Sequence, residues 1–315
     1  MKNKMTSFET MAPALPATHQ AFGLNWNFSF DFSPFCAASA DTLADVVVEL
    51  GVLPAVSPDA RPAGPLRQVC PGTVRFGMPG VAKLLVSEGR HILVEPHPDG
   101  SEQALNLLLM GTASALLLLQ RGVLPLHASG ILTPRGAALI VGHSGAGKST
   151  ALGALLRRGY PMVCDDLAAI RFDHAGVPQV CPGVPLYKLW ADSAEALGVA
   201  TSNLPRVRDE LSKYMVPADH QLLDRPVPIY AVYQLSAENL PEPRLEAKRD
   251  ARKFNVLLDH TWQKLTVKGL GLQAKHFHQA TLLANAVRVM ALRRPEAGGI
   301  DVDRVAALIE ADFLG

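Results

Sequence analysis

The sequence has little cysteine and almost no net charge. Its four cysteines, Cys36, Cys70, Cys164 and Cys181, form no C-x-x-C pair and have no histidine at metal-ligand spacing. This scatter indicates neither a disulfide framework nor a zinc site, and it favours a reducing, cytoplasmic setting. The formal net charge of +1 gives no overall field that would attract nucleic acid or an anionic membrane, so neither partner is expected.

The sequence also lacks a recognisable targeting segment, membrane span or repeat. Residues 1–20 contain no continuous apolar stretch of the kind a signal peptide needs, and they are predicted to form a disordered tail. Residues 104–119 are mostly apolar, but this run is shorter than the about 20 residues that cross a bilayer. A buried helix is therefore expected there.

The residue pattern divides the chain near residue 103. Residues 21–103 carry short β-rich runs between clusters of Pro and Gly, which predicts a small, mostly antiparallel module with one helix at about residues 41–50. Residues 104–315 alternate between helical and apolar strand patterns, as expected of an α/β domain. Its later elements are predicted as a strand over 228–235 and helices over 247–260, 274–290 and 301–313.

The strongest motif is a phosphate-binding loop. Residues 142–149 match G-x-x-x-x-G-K-[ST] at every fixed position, between an apolar strand and a helical stretch over 149–158. The motif predicts that backbone N–H groups surround phosphate oxygens, that Lys148 reaches the β- and γ-phosphates, and that the Ser149 hydroxyl ligates Mg²⁺. ATP and Mg²⁺ are the expected cofactors. The predicted nucleotide contacts are Gly142, His143, Ser144, Gly145, Ala146, Gly147, Lys148, Ser149 and Thr150.

Two aspartates follow the next predicted strand. Residues 160–164 form a short apolar run that ends in Asp165 and Asp166. A strand–helix–strand crossover returns the second strand parallel to the first, so both strands end at the same sheet edge, beside the loop. One carboxylate can hold Mg²⁺ and the other can accept the proton of an attacking hydroxyl. A capping or solvated role for either aspartate stays open.

A histidine reaches the same edge through a predicted hairpin. Residues 123–132 and 137–142 are apolar runs joined by residues 133–136, which suit a type I turn. His127 then lies across from the first glycine of the loop. This register predicts His127 close to Asp165, where it can orient the carboxylate or tune its pKa, although a purely structural role is equally open.

Phosphoryl transfer also needs a cation near the developing charge. The candidates are Lys188, Arg206, Arg208 and Lys213. Each of these residues, taken alone, is more typical of a solvated surface.

This arrangement resembles the catalytic core of the HPr kinase/phosphorylase family. The resemblance is carried by His127 before a hairpin, then GHSGAGKST, then a short helix and Asp165-Asp166 after an apolar strand, over about residues 123–171. That family phosphorylates a serine of a small carrier protein and is related to phosphoenolpyruvate carboxykinases. A weaker similarity through 180–195 and the C-terminal helices extends to tailoring kinases of lasso-peptide clusters, which phosphorylate the C-terminal serine of a precursor peptide.

The resemblance implies an α/β fold: a P-loop kinase core of the HPr kinase / phosphoenolpyruvate carboxykinase type with a smaller β-rich N-terminal module. It implies that Lys148 binds phosphates, that Asp165 is the general base and that His127 assists it. Metal binding then falls to Ser149 and Asp166. The acceptor would be a peptide or small protein, and the chain would assemble with identical copies.

Two departures from the family bear on the acceptor. Thr150 stands where the family has a Glu after the loop serine, and the E-[IV]-R-G-L-G signature is missing some 50 residues after the loop; the similar residues 267–271 come far too late. The missing signature favours a precursor peptide over HPr as the acceptor.

Other functions stay open from the sequence. A small-molecule P-loop kinase also places aspartates one crossover after the loop. An NTP-hydrolysing switch or motor is a different class, although the LSGGQ-type and NKxD motifs are absent. A nucleotide-binding module without activity is disfavoured by the intact Lys148, Ser149 and aspartate pair.

Overall fold

Alternating buried and exposed residues build the N-terminal half into one nine-stranded sheet. The computed structural model of the chain describes residues 15–39, 41–208, 210–218, 223, 225–296 and 301–315. The strands of this sheet are β1 (His19–Ala21), β2 (Leu24–Phe28), β3 (Cys36–Ala37), β4 (Val46–Leu50), β5 (Arg61–Pro62), β6 (Arg67–Cys70), β7 (Thr73–Met78), β8 (Ala82–Ser87) and β9 (His91–Pro96). Their spatial order is β3-β1-β2-β4-β9-β8-β7-β6-β5, and β4 is parallel to both its neighbours while the other pairs are antiparallel.

The helix predicted at residues 41–50 is wrong. Residues from Val46 onward form the central strand β4, in which Val46 and Val48 are buried. Three consecutive valines are stiff at χ1 and prefer a pleated strand, and here they lie between β2 and β9. Residues 1–14 of the predicted tail lie outside the described residues, whereas His19 and Gln20 belong to β1.

The apolar stretch after the first sheet is a buried helix with a π-helical segment. It runs through α1 (Glu102–Leu108), the π-helix Leu109–Ala113 and α2 (Ser114–Gln120). In the described part of the chain, this is the one helix long and apolar enough to cross a membrane, and 67% of its most apolar window is buried. Its buried residues share a core with the N-terminal sheet, which fits the expected core helix. The domain division near residue 103 stays a prediction.

The second half contains a mixed nine-stranded sheet and a separate two-stranded sheet of β16 and β17. The strands are β10 (Leu124–Leu126), β11 (Ala128–Thr133), β12 (Gly136–Val141), β13 (Met162–Cys164), β14 (Ala168–Phe172), β15 (Pro178–Cys181), β16 (Leu186–Trp190), β17 (Lys213–Pro217), β18 (Val227–Glu238), β19 (Arg244–Ala247) and β20 (Arg288–Pro295). The helices are α3 (Lys148–Arg157), α4 (Ala191–Ala196), α5 (Ala251–Asp259), α6 (Lys264–Gly269), α7 (Gln273–Ala286) and α8 (Val302–Leu314). The fold is therefore a mixed α/β arrangement.

The predicted hairpin has the expected register. Thr133 pairs with Gly136, and Ala128 pairs with Val141 at the other end of β11 and β12. The apolar run 123–132 is not one strand, however, because it breaks at His127 between β10 and β11. The strand β10 pairs with β14, whereas β11 pairs with β12. His127 therefore lies where the chain passes from one part of the sheet to the other.

Two predicted helices are too long. Residue Ala247 pairs with Met290 in β19 and β20, so the helix predicted from 247 begins at Ala251. The helix predicted to 290 ends at Ala286, because the next residues form β20, parallel to β18. In both places pairing with β20 takes residues that the sequence pattern assigned to a helix.

The crossover after the phosphate loop positions the aspartates. The strand β13 pairs antiparallel with β11, which is antiparallel to β12, so β12 and β13 run in the same direction. Their carboxyl ends therefore lie at one edge of the sheet, with β11 between them.

Candidate active site

The loop of residues 142–147 joins β12 to α3, as the motif requires. Gly145 and Gly147 have φ angles of 81° and 105°, which other residues adopt only with strain. A Cβ at Gly142 would lie 2.5 Å from the Leu235 carbonyl oxygen, so the loop passes close to β18. The loop leads into the N-terminus of a ten-residue helix, a setting that favours anions.

The ammonium of Lys148 lies within the loop. Its Nζ donates to the carbonyl oxygens of Gly142 (2.8 Å) and His143 (3.3 Å). Burial lowers the pKa of Lys148, and the charges of Asp165 and Asp166 oppose that shift. The cation is therefore close to both aspartates.

Asp165 is surrounded by neutral hydrogen-bond donors. The Ser129 hydroxyl donates to its Oδ1 at 2.6 Å, and the Ser149 hydroxyl lies 3.0 and 3.2 Å from its two oxygens. The backbone N–H of Lys188 donates to Oδ2 at 3.0 Å. Asp165 is buried, so these donors replace the water that a carboxylate would otherwise need. This carboxylate therefore contacts the hydroxyl that is predicted to ligate Mg²⁺.

Asp166 has an ion-pair partner instead. Its carboxylate pairs with the Lys188 ammonium and lies 3.4 Å from His127 Nδ1. Burial alone would raise the pKa of Asp166, but Lys188 and His127 outweigh it and lower that pKa below its usual value. Its backbone has a φ of 71°, a conformation that is uncommon outside glycine and concentrates at functional sites.

The orientation of His127 is set by backbone groups. Its Nδ1 lies 2.9 Å from the Asp166 carbonyl oxygen, which can only accept, so Nδ1 carries the proton and Nε2 keeps a lone pair. The ring packs edge-on against Trp262 at 4.8 Å. Burial, followed by the charge of Lys148, lowers the pKa of His127. The imidazole is therefore neutral at pH 7.

The four candidate cations separate into two pairs. Lys188 lies at the site, 18% exposed and paired with Asp166, so its interpretation as solvated surface is wrong. Lys213, on the neighbouring strand β17, lies 5.6 Å from the Trp190 ring and helps to lower the pKa of Asp166. Arg206 and Arg208 are exposed. Pairing of β16 with β17 explains why Lys188 and Lys213 come together.

The predicted nucleotide contacts differ in their surroundings. His143, Ser144 and Gly145 are exposed, whereas Ala146 is buried. Thr150 is buried too, and its hydroxyl lies 2.9 Å from that of Ser193 in α4. The hydroxyl is thus occupied within the protein, where the resembling family has a carboxylate.

The sequence pattern missed two residues beside the loop. Arg294 is buried and donates from Nε to the Ala146 carbonyl oxygen at 2.9 Å. The His260 ring lies 5.4 Å from that of His143, and its buried Nε2 has no hydrogen-bond partner among the described residues. Burial, then His143 and Lys148, lower the pKa of His260 to about 4. No local signal marks either residue, because both come from segments more than 100 residues further along the chain.

The donors at the loop suit a magnesium ion. Among the described residues there is no cluster of three or more His, Cys, Asp or Glu that would form a metal cage. Magnesium needs no such cage, since it commonly takes one or two carboxylates, substrate phosphates and water. The hydroxyl of Ser149 and the carboxylate of Asp165 are hard oxygen donors of that kind.

Comparison with known proteins adds a weak structural likeness. No family model matches the chain, and no curated protein matches it. Among solved structures, the Hpr(Ser) kinase/phosphatase from Coxiella burnetii is similar over 60% of this chain and 90% of that chain, with 13% identity and a TM-score of 0.32. At this TM-score the likeness supports no conclusion about function.

Proposed function

We propose that this protein is an ATP-dependent kinase that transfers the γ-phosphate to a serine hydroxyl of a peptide or small protein. The contact between Ser149 and Asp165 carries the proposal, because it joins the phosphate loop to a carboxylate at the required sheet edge. A loop that only shaped a turn would need neither this carboxylate nor a buried lysine.

Binding of the nucleotide falls to the loop and Lys148. The backbone N–H groups of residues 143–148 and the Lys148 ammonium would hold the β- and γ-phosphates. Ser149 and Asp165 would hold Mg²⁺, which neutralises charge on the phosphate oxygens when bound. This assignment exchanges the two carboxylates relative to the sequence interpretation, since Asp165, and not Asp166, contacts Ser149.

Proton transfer falls to Asp166. The serine oxygen forms a bond to the γ-phosphorus as the bond from that phosphorus to the ADP oxygen breaks, and the serine proton passes to the Asp166 carboxylate. Lys188 keeps this carboxylate ionised, and His127 fixes its backbone. Lys188 also provides positive charge near the transferred group.

The choice of a peptide acceptor rests on architecture and on resemblance. A nine-stranded sheet accompanies the core that carries the loop, which is more material than a small-molecule kinase needs to close over its substrate. The missing E-[IV]-R-G-L-G signature favours a precursor peptide, and the C-terminal serine of a lasso-peptide precursor is the specific candidate.

Labelled ATP tests this function. The enzyme and MgATP are incubated with peptides encoded beside its gene, and tandem mass spectrometry then locates any added phosphate, with Lys148→Ala as the inactive control. Phosphoserine on a peptide supports the proposal. Labelling of a metabolite pool without peptide would identify a small-molecule kinase instead, and release of free phosphate alone would identify a hydrolytic switch.

A further inference from the structure

A polar cavity lies between the N-terminal sheet and the second half of the chain. Its volume is about 590 Å³, which is within the range of small-molecule sites, and such sites favour the junction between two structural units. The lining groups with chemistry are Asp45, Arg121, Arg171, Phe172 and Gln279. None of them belongs to the phosphate loop or to the residues around Asp166.

The charge of this cavity is unbalanced. Two guanidinium groups, those of Arg121 and Arg171, face a single acid, Asp45, and the Arg121–Asp45 distance is 3.5 Å. A charge-assisted bond is normally about 2.7–2.9 Å long, so this pair is loose. Arg121 also donates to the Gly89 carbonyl oxygen at 2.8 Å, and Arg171 donates to that of Gly23. Each guanidinium has five N–H donors, so both retain donors for a ligand after these bonds.

A third cation covers the rim. A Cβ built on Gly122 would lie 1.9 Å from Lys275 Nζ, so the ammonium lies directly against that glycine of the cavity wall. Burial lowers the pKa of Arg121. The charge of Asp45 raises that pKa, whereas the neighbouring charges of Arg171 and Arg90 lower it further. Cations therefore outnumber acids around the cavity.

We propose that this cavity binds an oxyanion, a carboxylate or phosphate group, held by Arg121 and Arg171 with Lys275 at the rim. Paired guanidinium groups match the geometry of such ions. Gln279 donates one amide N–H to the Gly122 carbonyl oxygen at 2.6 Å and keeps a second, and Phe172 also lines the cavity. The site is separate from the phosphate loop, because Arg171 lies three residues beyond Ala168 on β14, about 10 Å further from the aspartates.

Calorimetry with inorganic phosphate and with succinate tests this site on the full chain. Lys148→Ala is the background, since it removes the cation of the phosphate loop and leaves the cavity unchanged. In that background, Arg171→Gln should weaken binding of both probes at least about 10-fold, because a charge-assisted contact is lost. Arg249→Gln, at an exposed position outside the cavity, should change nothing. Lack of binding at millimolar probe, or equal binding by the two variants, would overturn the proposal.

A chemical measurement avoids any folding defect of the variants. Phosphate should protect Arg121 and Arg171 of the unmodified protein from phenylglyoxal, as mapped by mass spectrometry, and should leave Arg249 reactive. Equal modification with and without phosphate would contradict the proposal.

The same titrations separate two sources of the anion. Tighter binding of a blocked peptide with one glutamate than of phosphate or succinate assigns the site to an acidic group on a polypeptide partner. Tighter binding of phosphate or succinate assigns it to a free anion. The proposal does not depend on kinase activity, so its failure would leave the proposed function standing, and the reverse also holds.

Discussion

Two neighbouring carboxylates occupy contrasting regions of the candidate site. The loop-side group, Asp165 with Ser129 and Ser149, is held by neutral hydroxyls in a buried position. The Asp166 cluster, formed by Asp166, His127 and Lys188, is partly exposed, and its carboxylate is paired with the Lys188 ammonium.

This difference gives the two carboxylates different capacities. The Asp165 carboxylate is bonded to neutral donors and has no cation paired with it among the described residues, so it is free to take Mg²⁺, whereas the Lys188 ammonium keeps the Asp166 carboxylate ionised and able to accept a proton. Under the proposed function, these adjacent residues have separate roles, which depend on contacts with residues of β11, α3 and β16. The predictions below test whether the separation holds, starting with the largest effect.

Asp166→Asn should have the largest effect. An amide cannot accept the serine proton, so the rate of transfer at saturating MgATP should fall by about 10²–10⁴-fold, while nucleotide affinity stays unchanged. Single-turnover transfer and calorimetry measure the two quantities. Asp31→Asn, at an exposed position, is the matched control. A fall in rate smaller than about threefold would remove Asp166 from the role of base.

Lys148→Ala tests nucleotide binding by the phosphate loop. The loss of a charge-assisted contact of about 1.5–3 kcal/mol should weaken binding of an MgATP analogue by at least about 10-fold. Calorimetry checks this, with the exposed Lys268 changed to alanine as the control. Wild-type affinity in Lys148→Ala would invalidate the assignment of the phosphate loop.

The pH dependence of phosphoryl transfer tests the protonation states of His127 and Asp166. Burial and Lys148 hold the pKa of His127 below its ordinary value, and Lys188 and His127 hold that of Asp166 below its own. A lowered pKa keeps His127 neutral and Asp166 ionised as the pH falls. The rate should therefore stay level from pH 8 to about 6.5, the ordinary histidine value, and decline only below it. A decline centred above that pH would contradict the neutral state of His127.

The smallest effect is expected at His260. Its unpaired Nε2 costs stability, and its pKa of about 4 lies below the unfolded value. The unfolded chain therefore binds the proton first, and the wild type loses stability as the pH falls from about 6.5 towards 4. His260→Phe should increase the free energy of unfolding by about 1 kcal/mol at pH 7 and by more at pH 5. Urea melts at both values check this, with the exposed His278 changed to phenylalanine as control. A less stable variant at pH 5 would contradict the account.

Local patterns predicted part of this site. The loop, the hairpin register and the common edge of β12 and β13 follow from residues within about 40 positions of one another. Each depends on turn chemistry or on one crossover, which the sequence displays directly. The roles proposed for the two aspartates did not follow, because they rest on contacts of the folded chain, such as that between Ser149 and Asp165.

The contacts and elements that the sequence did not predict depend on packing between distant parts of the chain. Lys188 reaches Asp166 from β16, and Arg294 reaches Ala146 from β20 at the far end of the chain. The helix expected at 41–50 became β4 because a parallel partner on each side completes its hydrogen bonds. Such pairings are decided by the whole sheet, and no single window of sequence contains them.

The separate roles proposed for Asp165 and Asp166 are tested most directly by a magnesium titration of phosphoryl transfer. Asp165→Asn and Asp166→Asn are compared at saturating ATP, each serving as the control for the other. The account predicts that Asp165→Asn requires about 10–100-fold more Mg²⁺ for half-maximal rate. Asp166→Asn should keep the wild-type requirement and lose only the maximal rate. A shifted magnesium requirement in Asp166→Asn, with an unshifted one in Asp165→Asn, would contradict the account.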